Sequence, residues 1–118
     1  MELGMPLVDA IRNNLDNLIN NVPEPYRKDA AALPVATDFT LTGATVNVPG
    51  TEKKAQVGNL TWICHNLWLQ YRFSMDESIL RNTLYPTLRR AVNFYLPFLT
   101  EDKSGKLHLK RTYSPEYG

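Results

Sequence analysis

The sequence predicts an all-α fold of antiparallel helical hairpins, interrupted by one long irregular loop. Apolar residues recur at three- and four-residue spacing in three separate segments, whereas no segment sustains the alternation of a half-buried strand. The middle of the three is apolar nearly all the way round, as in a helix covered on more than one side.

The first helix is expected from Pro6 to about Asn21, with Leu7, Val8, Ile11, Leu15, Leu18 and Ile19 on one face and Pro6 in the first turn, where its missing N–H costs nothing. Pro23 and Pro25 end it. A short helical stretch is expected around Tyr26 to Leu33, closed by Pro34. From Val35 to about Ala55 the composition turns to Thr, Val, Gly and Pro, which favours an extended loop with at most short strand pieces over a weak hairpin. Loops of that length inside a domain are usually functional or disordered, so this one is a candidate wall of a site.

The second helix is expected from about Gln56 to Phe73, with Trp68 and Tyr71 in the core. Asp76 is placed to cap a third helix, Glu77 to about Leu99, whose buried stripe is Ile79, Leu80, Leu84, Leu88, Val92, Tyr95, Leu96 and Leu99. Pro86 and Pro97 should each kink or break it. A polar turn at Glu101–Lys106 and a short strand-like alternation to Lys110 lead into the terminal loop. Two long helices joined by a short connector form an αα-hairpin; three helices could close a small bundle or be one sector of something larger.

Composition narrows the function classes. With 43% hydrophobic and 21% charged residues the 118-residue chain is ordinary for one globular domain. Net charge is +1 and the 13 basic residues are scattered, which argues against a nucleic-acid footprint. The single cysteine, Cys64, cannot form an intrachain disulfide; it reads as a small buried hydrophobe, and His65 has no neighbour at metal-ligand spacing, so neither a metal nor another cofactor is expected. No apolar run is long enough to span a bilayer. The residues Met1–Pro6 lack the basic and apolar regions of a signal peptide, which suggests the cytoplasm for the chain as it stands and says nothing for a fragment, whose leader would precede them.

The most informative stretch is Thr112-Tyr113-Ser114-Pro115-Glu116-Tyr117-Gly118. It sets one carboxylate on a proline-restricted loop between two tyrosines, surroundings that can raise a carboxyl pKa toward the range a general acid needs. One carboxylate is half of a hydrolytic pair, and no partner can be picked out by spacing.

The run Gly58-Asn59-Leu60-Thr61-Trp62-Ile63-Cys64-His65-Asn66-Leu67-Trp68, then Tyr71-Arg72-Phe73, Tyr85-Pro86, Ala91, Phe94 and Leu99, and finally Ser114-Pro115-Glu116, resembles the catalytic (α/α)6-barrel domain of glycoside hydrolase family 95. The likeness runs from about Leu3 to Gly118 and is more specific after Gly58. It implies that residues 1–118 are part of a larger barrel from a periplasmic or secreted parent. That parent would invert the anomeric centre of a terminal α-linked sugar, as the α-L-fucosidases and related α-L-galactosidases do, on an oligosaccharide or glycan substrate. Glu116 matches the general acid. The asparagines and aspartate that activate water in that family have no matching positions here, so the chain alone is expected to be inactive, since inversion needs both groups. Val48–Val57 lacks the tryptophan- and glycine-rich run of the fucosidases, and Tyr117 stands where asparagine or histidine is usual, which leaves sugar and linkage open.

In a helical barrel the first turns of inner helices open onto the cleft, which makes Asn59, Trp62 and Asn66 candidate substrate contacts: an aromatic face for a pyranose, with amides for its hydroxyls. Tyr113, beside the acid loop, joins them. The competing reading of Trp62 is a core residue. A reading from another class is a noncatalytic helical module that binds carbohydrate or protein. Either way, a barrel sector leaves apolar surface uncovered, so the separate chain is expected to self-associate through Val57–Phe73.

Overall fold

The computed structural model describes residues 5–50 and 55–113. Helices α1 (Met5–Asn13) and α2 (Leu15–Asn20) lead into a 3-10 turn (Glu24–Tyr26), and coil then crosses to α3 (Asn59–Ser74). The chain reverses through α4 (Glu77–Ile79) and a π turn (Leu80–Leu84) into α5 (Tyr85–Asn93). A second 3-10 turn (Leu96–Phe98) opens a small antiparallel ribbon in which β1 (Leu99–Glu101) pairs with β2 (Leu107–Leu109), Leu99 opposite Leu109. The fold class is all-α, as the periodicity predicts.

The centre of the fold is the hairpin of α3 with α5. At its turn Met75 adopts the left-handed conformation (φ 55°) and returns its N–H to the Tyr71 carbonyl, while the Asp76 side chain caps the next helix by accepting from the Ser78 N–H at 2.9 Å. At the open end the Thr61 and Tyr95 hydroxyls meet at 2.9 Å, and Tyr95 donates to the Val57 carbonyl at 2.8 Å. Start of one helix against end of the other makes the pair antiparallel.

The breaks have local causes. The first helix is divided at Asn14, whose side-chain amide donates to the Ala10 carbonyl at 2.8 Å and so takes the acceptor that the backbone of that turn would use. The expected disturbance at Pro86 is a π turn just before it: the Tyr85 N–H reaches back five residues to Leu80, widening the helix where the proline ring would strike a carbonyl. Pro97 ends the helical run, and Leu99, expected in the third helix, begins a strand instead.

The stretch expected to be helical after Tyr26 is an extended strap. Its Ala31 N–H bonds the Arg90 carbonyl at 3.2 Å and its Ala32 N–H the Leu18 carbonyl at 3.0 Å, so it is used by the last turns of α5 and α2 rather than by itself. The long loop contains no strand among the described residues. It is held from outside, chiefly by buried Asn21, whose Nδ2 donates to the Leu41 carbonyl at 2.8 Å and the Ala32 carbonyl at 3.2 Å, and whose own carbonyl accepts from the Val46 N–H at 2.9 Å.

One core cluster joins Val8, Ile11 and Leu18 to Leu60, Cys64, Leu67, Ile79, Leu84 and Ala91; a second gathers Val22, Ala30, Val46, Phe94 and Phe98. Helix α3 buries only the stripe Leu60, Cys64, Leu67 and Gln70. Tyr71 packs against the core as expected, but Trp68, expected there too, is 40% exposed under the Arg72 guanidinium, and Trp62, Leu69 and Phe73 are also exposed. A radius of gyration of 14.9 Å exceeds the roughly 13 Å of a compact domain of this length.

Candidate functional site

The first two turns of α3 place Asn59, Trp62, Ile63 and Asn66 along one side of the helix, as their three- and four-residue spacing requires. Opposite them runs the strap from Leu33 to Val35, and with Gln56 the two walls enclose an open cavity of about 390 Å³. Three of the expected substrate contacts, Asn59, Trp62 and Asn66, thus share one hollow. Trp62 is 66% exposed, which removes the alternative that it fills the core of this chain.

The roles of the three differ. Asn59 donates from Nδ2 to the Leu33 carbonyl at 3.2 Å, so its amide fastens one wall to the other. Asn66 and Trp62 stand exposed in the hollow. The lining combines the apolar surfaces of Leu33, Pro34, Val35 and Ile63 with an indole and three amides, and among the described residues it carries no ionisable side chain. Such a surface suits a neutral ligand with both a C–H face and hydroxyl groups.

Tyr113 does not line the cavity but is tied to its rim. Its N–H donates to the Ala55 carbonyl at 2.9 Å, next to Gln56, and its hydroxyl accepts from Arg111 Nη2 at 2.8 Å with that guanidinium 5.6 Å from the ring centre. Glu116, with Ser114, Pro115 and Tyr117, lies outside the described residues.

Gln56, Leu33 and Pro34 were not singled out by their sequence pattern. Gln56 reads as the first residue of an apolar helix, and only the coil before α3 turns it to the cavity. Pro34 reads only as the residue that closes the expected helical stretch, just before the long loop, Val35 to about Ala55, that is the candidate wall.

The other chemistry-bearing groups sit elsewhere. Cys64 and His65 border a separate hollow of about 210 Å³ with Thr61, Trp68, Leu84 and Leu88; burial pushes the Cys64 thiol up to about 11, so it stays protonated and unreactive. His108 Nε2 lies 2.7 Å from Asp102 in the β1–β2 turn, where the Ser104 hydroxyl, then His108, hold that carboxyl well below the usual range. Among the described residues no group of three His, Cys, Asp or Glu side chains is arranged to hold a metal, and no helix is long and apolar enough to cross a membrane.

Comparison with known proteins gives this geometry a context. The family model of the glycosyl hydrolase family 95 catalytic domain matches residues 1–118. Alpha-L-fucosidase 2 of Arabidopsis thaliana is 34% identical over 56 residues, 48% of this chain and 7% of that protein. The probable alpha-fucosidase A of Aspergillus niger is 37% identical over 60 residues, 48% of this chain and 8% of that protein. The matched segments thus amount to less than a tenth of these relatives' lengths. No solved structure matches.

Proposed function

The chain belongs to glycosyl hydrolase family 95, its helices are those of an all-α six-hairpin catalytic domain, and we propose that it is the part of an α-L-fucosidase-like enzyme that carries the general acid and one wall of the sugar cleft. Residues 1–118 then form a sector of a larger (α/α)6 barrel. The substrate is a glycan with a terminal α-linked sugar, hydrolysed with inversion.

The observation that carries this reading is the shared cavity: an exposed indole at Trp62, amides at Asn66 and Asn59, and no charged side chain among the described lining residues. Trp62 offers its face to the C–H side of a pyranose while Asn66 takes a hydroxyl. Asn59 acts mainly by holding the Leu33–Val35 wall. The Tyr113 N–H bonds the Ala55 carbonyl, so the residue that precedes Ser114-Pro115-Glu116 in sequence is tied down beside Gln56. In this reading Glu116 donates its proton to the departing glycosidic oxygen, and a base supplied by the rest of the barrel activates water from the opposite face.

The test is Glu116→Gln in the intact protein. Hydrolysis of an α-L-fucosyl disaccharide, whose leaving group must be protonated, should fall by about 10²–10⁴, while α-L-fucosyl fluoride, which needs little protonation, should be cleaved nearly as before. Near-normal hydrolysis of the disaccharide removes Glu116 from the mechanism. Sugar binding by a protein that cleaves neither substrate favours the binding-module reading.

A further inference from the structure

Helix α3 carries Asn59, Trp62 and Asn66 into the cavity, yet its own start supplies no cap. Gly58, the residue before it, has no side chain to accept from the free N–H groups, and the first turn contains no acidic residue. The hold comes from the end of α5. The Tyr95 hydroxyl lies 2.8 Å from the Val57 carbonyl and 2.9 Å from the Thr61 hydroxyl, which in turn lies 2.9 Å from the Gly58 carbonyl. Two hydroxyl hydrogens cannot serve all three contacts. The Gly58 carbonyl already accepts the Trp62 N–H at 2.9 Å, so the Thr61 hydrogen goes to Tyr95 and the Tyr95 hydrogen to Val57.

We propose that Tyr95 is a positioning residue of the sugar cleft, and that the end of α5 sets the spacing between the cleft's two walls. This rests on the reading of the cavity as the site of the sugar. Tyr95 does not line the cavity, but the carbonyl it holds belongs to Val57, which stands beside Gln56 and two residues before Asn59, and both of these line it.

The opposite wall hangs from the same stretch of α5. Asn93 Nδ2 donates to the Asp29 carbonyl at 2.8 Å, Arg90 Nη1 donates to the Ala30 carbonyl at 3.4 Å, and the Arg90 carbonyl accepts the Ala31 N–H at 3.2 Å. Asp29 is left-handed (φ 57°), uncommon for a residue with a side chain, and the Asn93 bond holds it so at the root of the strap. Residues 90–95 thus grip the strap on one side and the start of α3 on the other. Loosening either grip alters the gap across which Trp62 faces Leu33–Val35, although no group that touches the ligand has been changed.

Tyr95→Phe keeps the ring beside Phe94, whose centre is 6.4 Å away, and removes only the hydroxyl. In the intact protein it should raise KM for an α-L-fucosyl disaccharide about threefold to tenfold, the value of about one hydrogen bond. It should leave kcat within about twofold, because a displaced wall loses binding common to ground and transition states. A residue that only stabilises the fold gives the reverse: fewer folded molecules, hence a lower apparent kcat at an unchanged KM. That result, or no change in either constant, overturns the proposal. Thr61→Val breaks the same chain of hydroxyls and should act alike, and the double variant should be no worse than Tyr95→Phe alone; additive losses reject the coupling.

Fluorine NMR of the protein labelled with fluorotryptophan reads the wall without any sugar. Trp62→Phe identifies the Trp62 signal by its loss. Tyr95→Phe should move that signal and leave the signal of Trp68, which borders a separate hollow, in place. Should the unsubstituted protein neither bind nor cleave fucosides, the functional reading fails on its own and this spectrum decides the role of Tyr95: an unmoved Trp62 signal rejects it.

Discussion

Asn21→Ala removes the clasp that holds the strap and the long loop against α2. In the native fold the Asn21 amide gives one hydrogen bond to the Leu41 carbonyl at 2.8 Å and one to the Ala32 carbonyl at 3.2 Å, and the residue is only 3% exposed. Each such bond contributes about 0.5–1.5 kcal/mol net, and a carbonyl left without a partner in a buried place adds its own penalty, so the loss should come to about 2–3 kcal/mol. For a chain of this size that is a melting temperature lower by about 6–12 °C. Urea and thermal denaturation of the 118-residue chain, at one fixed low concentration, would measure it. Asn20→Ala is the control: Asn20 is exposed at the same helix end, and its loss should stay within about 0.5 kcal/mol. If Asn21→Ala shifts the transition no more than Asn20→Ala does, the loop is held by something other than these amides, and the account of the cavity wall loses its mechanical basis.

The buried Thr83 hydroxyl has no partner among the described residues, so Thr83→Val, which keeps the shape, should raise stability in urea titrations by about 1 kcal/mol; a loss of that size refutes the assignment. Met75→Gly relieves a left-handed residue at an exposed helix end and should stabilise by about 0.5–1 kcal/mol in the same assay. The carboxyls of Asp102, Asp38 and Asp76 are lowered chiefly by the hydroxyls of Ser104, Thr40 and Ser78. A carboxyl with a folded pKa below its unfolded value, about 3.9, stabilises the fold above that value and ceases to as pH falls through the folded one. Melting temperature should therefore decline from about pH 4 downward, and Asp102→Asn should flatten the decline; parallel curves would count against it. The isolated chain should self-associate through the exposed α3 face of Trp62, Leu69 and Phe73 and show no glycosidase activity. A monodisperse monomer over a wide concentration range in sedimentation, with a cooperative melt, would show that these residues close their own core.

The helices were legible because their cause is local. The stripe Leu60, Cys64, Leu67 and Gln70 follows from spacing, and the Asp76 cap from one residue type before a helical run. The same spacing set Asn59, Trp62 and Asn66 on one side of α3. What spacing could not show was the opposite wall. The strap Ala30–Ala32 is extended because carbonyls of α2 and α5 bond it, and those partners lie far off in the chain. Leu96 and Leu99 continue the apolar period of the third helix, which hid the start of β1; the pairing of Leu99 with Leu109 outweighs that periodicity. The proposal for Glu116 rests on resemblance to a motif, and the Tyr113 bond to Ala55 spans too many residues for any local signal to announce it.

The strap's bonds also bear on the order in which the fold assembles. The α3–α5 hairpin is made of contacts near in sequence and can form quickly, whereas Ala31 waits for Arg90 and Ala32 for Leu18. The Leu33–Val35 wall can therefore dock only after both helical pairs exist, and by the same logic it is the part that can detach without global unfolding. Its amides should exchange with deuterium ahead of those in α3. A ligand seated in the cavity would slow that exchange, so the wall doubles as a reporter of occupancy that does not depend on any activity.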